Sequence, residues 1–219
     1  MAAPHSSSAL AVNVFDYWRK RSEVGQLAKA LGYGRQFLEL RFERRYATGF
    51  GSTPANIDVV LSDGQGKLVA IESKFAEPFA GGITGKPRTL PGAYVAKTDR
   101  ARARWVKLPG CLKLSEGIVG GSETFARLDA PQLLKHALGL TRAAAEVVDF
   151  ELVLLWYAPP QNPPYAEAQQ MTNEIERFAS RIAGDIRFRA ITYQELFARL
   201  SKTATSHPAY IQYLRDRYF

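Results

Sequence analysis

Apolar positions along the chain follow two periods, and these divide it into helices and strands. From about 10 to 31, Leu10, Val14, Tyr17, Trp18, Leu27, Ala28 and Leu31 recur at spacings of three and four. That spacing predicts one helix, stopped by Gly32 and Gly34. The small, polar residues 1–9 before it are expected to be disordered. Residues 35–46 fit either period. Glu, Leu and Arg favour a helix, on which Glu39 and Glu43 lie one turn apart, yet Leu38, Leu40 and Phe42 alternate as in a strand. Residues 47–55 form a loop. Residues 129–146 predict a helix with Asp129 as cap, Pro131 in its first turn and an apolar stripe through Leu133, Leu134, Ala137, Leu138 and Leu140. Gln132 and His136, four apart, share one of its faces. The nearly all-apolar run from Phe150 to Tyr157 predicts a central strand, ended by Pro159, Pro160, Pro163 and Pro164. An amphipathic helix over 165–183, a strand from Ile186 to Ile191, and helices over 193–200 and 208–217 follow.

The strongest local pattern lies between Asn56 and Phe75. Two β-branched runs flank Ser-Asp-Gly-Gln-Gly-Lys, which predicts a hairpin. Ile57, Val59 and Leu61 alternate with Asn56, Asp58 and Val60, and Glu72 and Lys74 share a face of the second strand. With Gln65 at the centre of the turn, partner numbers sum to 130. Asp58 then stands opposite Glu72, and a slip of one residue would undo the pairing. Adjacent carboxylates repel, so one takes up a proton unless a cation lies between them. Mg²⁺ suits such a pair, because it binds through one or two carboxylates and keeps waters and phosphate oxygens. It can polarise a phosphoryl oxygen and acidify a water. Lys74 adds a compact positive charge that could also orient the water or help deprotonate it. These parts suffice for phosphodiester hydrolysis. Read alone, the same trio could be a surface ion pair.

Composition narrows the partner. A net charge of +8 over 219 residues favours a polyanion. Lys97, Arg100, Arg102, Arg104 and Lys107 cluster around Trp105, an interleaving that can grip phosphates and stack on bases, though a charge run also makes an ordinary solvated face. The length suits a single domain, 1–219. Within it the Gly-, Pro- and Arg-rich stretch 81–130 lacks long periodic segments and is expected to be an insertion. A single cysteine, Cys111, allows no intramolecular disulfide. The start lacks signal-peptide features and no run is long enough to span a membrane, so a cytoplasmic protein is expected. There is no nucleotide-phosphate loop, no zinc-ligand spacing and no Ser or Cys nucleophile motif.

Asp58, a turn, and then Glu72-Ser73-Lys74 resemble the signature of the PD-(D/E)xK nuclease superfamily. Pro54 stands four residues before Asp58, and Ile57 occupies the slot where that motif has its proline. Residues 7–13, Ser-Ser-Ala-Leu-Ala-Val-Asn, and the run from Ile71 to Phe79 resemble a group of little-characterised restriction endonucleases in that superfamily. The resemblance implies an α/β fold, the restriction-endonuclease-like sandwich with a mixed central sheet flanked by helices. It also implies a metal-dependent deoxyribonuclease of restriction or defence type. Asp58, Glu72 and Lys74 would be catalytic. Asp58, Glu72 and the Ser73 carbonyl would hold Mg²⁺, for which Mn²⁺ could substitute, with Glu43 as a further ligand. Gln132 and His136 are similar to the Gln-xxx-Tyr element of RecB-like nucleases, with His136 in place of tyrosine, and join Arg100, Arg102, Arg104 and Lys107 as candidate nucleic-acid contacts. DNA is the expected partner, with a second copy of the chain, a methyltransferase or a helicase as further candidates. A DNA-binding protein that keeps the fold without cleavage is the alternative, and the intact acidic pair and lysine speak against it.

Overall fold

The computed structural model describes residues 7–34, 36–79, 89–143, 147–159 and 166–219. Residues 1–6, all of the stretch 81–88 expected to open the insertion, the end of the helix expected over 129–146, and Pro160, Pro163 and Pro164 lie outside the described residues.

Five strands form one mixed sheet in the order β1-β2-β3-β4-β5: β1 (Glu39–Tyr46), β2 (Ala55–Ser62), β3 (Lys67–Lys74), β4 (Asp149–Trp156) and β5 (Arg187–Thr192). The first three are antiparallel neighbours, whereas β4 and β5 run parallel to β3. Helices cover both faces. α3 (Asp99–Arg104), α4 (Pro109–Val119), α5 (Ala130–Arg142) and α6 (Ala166–Ile182) close one core with Leu68, Ala70, Leu152 and Leu154. α1 (Ser7–Lys20), α2 (Val24–Ala30), α7 (Tyr193–Thr203) and α8 (Pro208–Tyr218) close the other with Val69, Ile71, Val153 and Leu155. Even and odd residues of β3 and β4 thus serve opposite cores, which explains why β4 is apolar throughout. The fold is the expected α/β sandwich.

The hairpin has the expected register. Val59–Ile71, Val60–Ala70, Leu61–Val69 and Ser62–Leu68 are paired, each summing to 130. Asp63 fixes the turn, its Oδ1 accepting the N–H groups of Gln65 at 2.8 Å and Lys67 at 3.0 Å.

Elsewhere the local expectations give way. Ser7, Ser8 and Ala9 belong to α1, not to a disordered arm. The single helix expected over 10–31 is two, broken near Ser22, which has φ 56°. Residues 39–46 form a strand and not an acidic helix, because alternate side chains of β1 reach the core beside β2. The alternation expected for β2 also changes at Asp58. Val59 and Leu61 enter one core, but Ile57 enters the other with Val60. β1 changes faces at the same level: Leu40 is in one core and Tyr46 in the other. The positions between Phe42–Val59 and Arg44–Ile57 are Glu43 and Asp58, and Glu43 has φ 52°. A residue in this left-handed region re-aims the strand that carries it. The ends of β1 and β2 therefore turn onto α5, where Gly139 lies against Tyr46 and Ala55. The described part of 81–130 contributes Trp105, Leu108, Cys111, Leu114 and Ile118 to the core, and α4 runs for 11 residues where no long element was expected.

Candidate functional site

The site comes together at the C-terminal end of β3. The period-two alternation directs Glu72 and Lys74 toward α5, and Ser73 toward α7. On α5, Asp129 caps the helix by accepting the Gln132 N–H at 3.1 Å, and Pro131 sits in the first turn. Gln132 and His136, one turn apart, then both face β3. Glu72 is almost completely buried, at 1% exposure. Its Oε1 is 2.6 Å from Lys74 Nζ, and its Oε2 is 2.7 Å from His136 Nε2. Lys74 Nζ also donates to Gln132 Oε1 at 2.8 Å. The result is a chain of four side chains: His136, Glu72, Lys74 and Gln132.

Asp58 enters from β2, where the strand changes faces. Its Oδ2 accepts the Ser73 N–H at 2.8 Å. Burial, and then the neighbouring Glu72 charge, push its carboxyl up to about 7, against the pull of the Ser73 N–H and Lys74. Glu72 behaves differently. Burial opposes its ionisation, but the His136 and Lys74 charges outweigh that and hold its carboxyl below the usual range. For Lys74, burial favours the neutral amine, yet Glu72, Asp129 and Asp58 together raise its pKa. Lys74 is therefore an ammonium at neutral pH. That suits it to stabilise negative charge and argues against the role of base for a water.

The other expected site residues are placed as follows. Ser73 Oγ lies 2.7 Å from the Tyr193 hydroxyl and 3.3 Å from the Ser7 carbonyl, so this side chain joins β3 to α1 and α7 and faces away from the acids. Glu43 is exposed, stands opposite Asp58, and its carboxylate hydrogen-bonds Asn56. His136 is buried, at 1% exposure, so it touches Glu72 and not a bound strand. Arg100, Arg102 and Lys107 are exposed, and the Arg104 guanidinium lies 4.6 Å from the Phe50 ring centre. Among the described residues, none of these four bonds to Asp58, Glu72 or Lys74. Trp105 is buried and its Nε1–H donates to the Tyr94 carbonyl at 2.9 Å, so it offers no face for a base.

Several contributors carried no signal in the sequence. Glu77 anchors the chain just after β3, accepting the N–H groups of Phe75 at 2.8 Å and Ser7 at 3.0 Å. Tyr193 supports Ser73 from the far layer. The loop that delivers Asp129 is gripped by Glu174 of α6, 6% exposed, whose carboxylate accepts three successive N–H groups, Ala126, Arg127 and Leu128, at 2.9–3.0 Å. Arg127 ties this loop to the Pro78 carbonyl at 2.9 Å, just beyond β3. An apolar face interrupted by a glutamate, as at Glu174, was the one visible hint.

Among the described residues, no three or more His, Cys, Asp or Glu side chains are arranged to hold a metal ion. The donors available at the end of the hairpin are oxygens only: the Asp58 and Glu72 carboxylates and the Ser73 carbonyl. Asp58 has one oxygen without a hydrogen bond among the described residues. Such a set is too poor for zinc but fits Mg²⁺, which takes one or two carboxylates and completes its shell with water and phosphate. The elevated Asp58 carboxyl marks a place short of positive charge.

Neither the curated proteins nor the solved structures gave a match to this chain. One family model matches, described as "Restriction Endonuclease associating with ARP", and it matches residues 1–219. The chain therefore belongs to this family of restriction endonucleases.

Proposed function

We propose that the protein is a metal-dependent DNA endonuclease of the PD-(D/E)xK type, with Asp58, Glu72 and Lys74 as its catalytic residues. The observation that carries this reading is the pairing of unlike acids on neighbouring strands. Glu72 is held as a carboxylate by the Lys74 ammonium and its contact with His136, while Asp58 beside it retains a proton up to about pH 7. Asp58, Glu72 and the Ser73 carbonyl would hold Mg²⁺, or Mn²⁺ in its place. When bound, the ion polarises the phosphoryl oxygen and acidifies a water. The remaining work falls to the chain. Asp58 would hold the cation in its deprotonated form. His136 holds Glu72 in one rotamer and Gln132 does the same for Lys74, so neither must reorganise. The Lys74 ammonium offsets the charge that builds on the attacked phosphate. Glu43 is a further ligand only if it leaves Asn56.

DNA is the substrate in this reading, and the family model is of restriction endonucleases. The family description names ARP as an associated component, which makes ARP a candidate partner beside a methyltransferase, a helicase or a second copy of the chain. The cytoplasm is the proposed location. Among the described residues, no helix is long and apolar enough to cross a membrane.

The test is cleavage of supercoiled and linear DNA with Mg²⁺ or Mn²⁺ by wild type, Lys74→Ala and Asp58→Ala. Cutting that needs the metal and is lost in both variants is expected. Equal cutting by a folded Lys74→Ala protein would refute the assignment.

A further inference from the structure

Gly49, in the loop between β1 and β2, has φ +79° and is flanked by arginines from two helices. A Cβ there would meet Arg142 Cζ and Nε at 2.8 Å and Arg104 Nε at 2.9 Å. Arg104 ends α3 and Arg142 ends α5, so two guanidinium groups converge on one point. Arg100, one helical turn before Arg104, adds a third charge that acts on Arg104, and its carbonyl accepts Arg104 Nη1 at 2.7 Å. Slight desolvation and then the Arg100 and Arg142 charges pull Arg104 below the usual arginine range. Among the described residues no carboxylate pairs with any of the three. Solvated arginines on an ordinary surface spread apart, because like charges repel.

Arg104 is held in place. Arg104 lies over Phe50, and Phe50 stacks on Tyr94 with ring centres 4.4 Å apart. Phe50 and Tyr94 are both buried, and the Tyr94 hydroxyl lies 3.4 Å from Thr48 Oγ1. The C-terminal carbonyls of α5 amount to about half a negative charge, enough to account for Arg142 and not for three cations. The balance is missing an anion. A phosphodiester fits, since each guanidinium presents a fork of donors to phosphate oxygens. Arg142 lies ten residues along α5 from Gln132, or ~15 Å at the helical rise, which is about four nucleotide rises along a DNA strand.

We infer that Arg104 and Arg142, which meet at Gly49, form with the neighbouring Arg100 a clamp for a DNA backbone phosphate away from the scissile bond. The inference rests on the reading of the chain as a protein that acts on DNA. Arg142 is the member that the sequence did not suggest, and Gly49 is the position that leaves the clamp open.

The test is binding of a fluorescein-labelled duplex, followed by anisotropy over a salt series in EDTA so that no cleavage intrudes. The double variant R104Q/R142Q should bind more weakly, with a log–log salt slope shallower by about 2, or about 1 per lost contact. A charge-matched control, R215Q/R217Q on α8 of the opposite layer, should keep the wild-type slope. Equal slopes in clamp variant and wild type would overturn the clamp, as would an equal loss in the control. Thermal stabilisation of wild type by inorganic phosphate, absent in R104Q/R142Q while both bind duplex alike, would overturn it in favour of a small-anion site. If the double variant loses its cooperative melt, R142Q alone should still lower the slope by about 1. A wild type that never cleaves, but whose binding still depends on Arg104 and Arg142, would sink the nuclease reading and leave the clamp standing. Cleavage lost in Lys74→Ala, together with the shallower slope of R104Q/R142Q, would support both.

Discussion

Asp58 and Glu72 are both carboxylates at the same end of the hairpin, yet their surroundings separate them. The Lys74 ammonium and the contact with His136 hold Glu72, whereas Asp58 has the Ser73 N–H and the more weakly acting Lys74 charge to oppose burial and its neighbour's charge. The difference has a measurable sign. An unfolded aspartate titrates near 3.8 and the folded Asp58 near about 7. Between those values the folded state holds a proton that the unfolded state has released, so stability falls as pH rises through this window and is level above it. In EDTA, Asp58→Asn should therefore melt progressively higher than wild type as pH climbs from about 4 to about 7, with a constant gap beyond. Scanning calorimetry across that range checks it, and a gap that closes with rising pH would reverse the assignment. At His136, replacement by alanine takes from the buried Glu72 one of its two polar partners and should cost about 1–3 kcal/mol, read from urea melts. His136→Gln, which keeps an N–H donor, should recover part of the loss. Neither consequence was legible from residue types. Gln132 and His136 were visible as one face of a helix, but the strand that face meets is set by where α5 crosses the sheet.

At the level of elements, the hairpin from Asn56 to Phe75 was the most legible part of the chain, because its turn chemistry and its alternation agree. Asp63 closes the turn and the register follows. β1 was ambiguous because its outward positions hold Glu39, Arg41, Glu43 and Arg45, which suit a solvated helix as well as an edge strand. The change of faces at Glu43 and Asp58 was hidden, since a left-handed glutamate has no compositional mark. That change sends the ends of β1 and β2 onto α5, and Gly139 makes the contact possible. A Cβ at Gly139 would sit 2.9 Å from Ala55 Cβ and 3.1 Å from the Tyr46 carbonyl oxygen. Gly139→Ala gains about 1 kcal/mol of helix propensity but overpacks a rigid contact, at a cost of roughly 1–3 kcal/mol. We expect a lower melting temperature, and a larger fall in DNA cleavage than in DNA binding, because β2 also carries Asp58. A variant more stable than wild type would show that the contact is loose.

At the scale of the whole molecule, the sandwich was legible because strands and helices follow one another with distinct periods. The tight packing of residues 89–130 was not, because α3 and α4 are short and their apolar residues sit among glycines and arginines. The assembled charge has its own consequence. A cation that binds the folded site alone must stabilise the whole chain by mass action. With Mg²⁺ at 100 times its dissociation constant, the gain is about 2.7 kcal/mol, or roughly 5–10 °C in melting temperature for a chain of this size. Asp58→Asn should abolish that gain, and an equal rise in wild type and variant would place the ion elsewhere.

The grip of Glu174 on Ala126, Arg127 and Leu128 bears on when the molecule becomes competent. Every candidate catalytic side chain is synthesised by residue 136, yet the loop that aims α5 at β3 stays without its carboxylate until α6 has been made. A ribosome-bound chain ending before α6 would carry all the chemistry and lack the bracket that orients it. Completion of the site is thereby tied to the synthesis of α6.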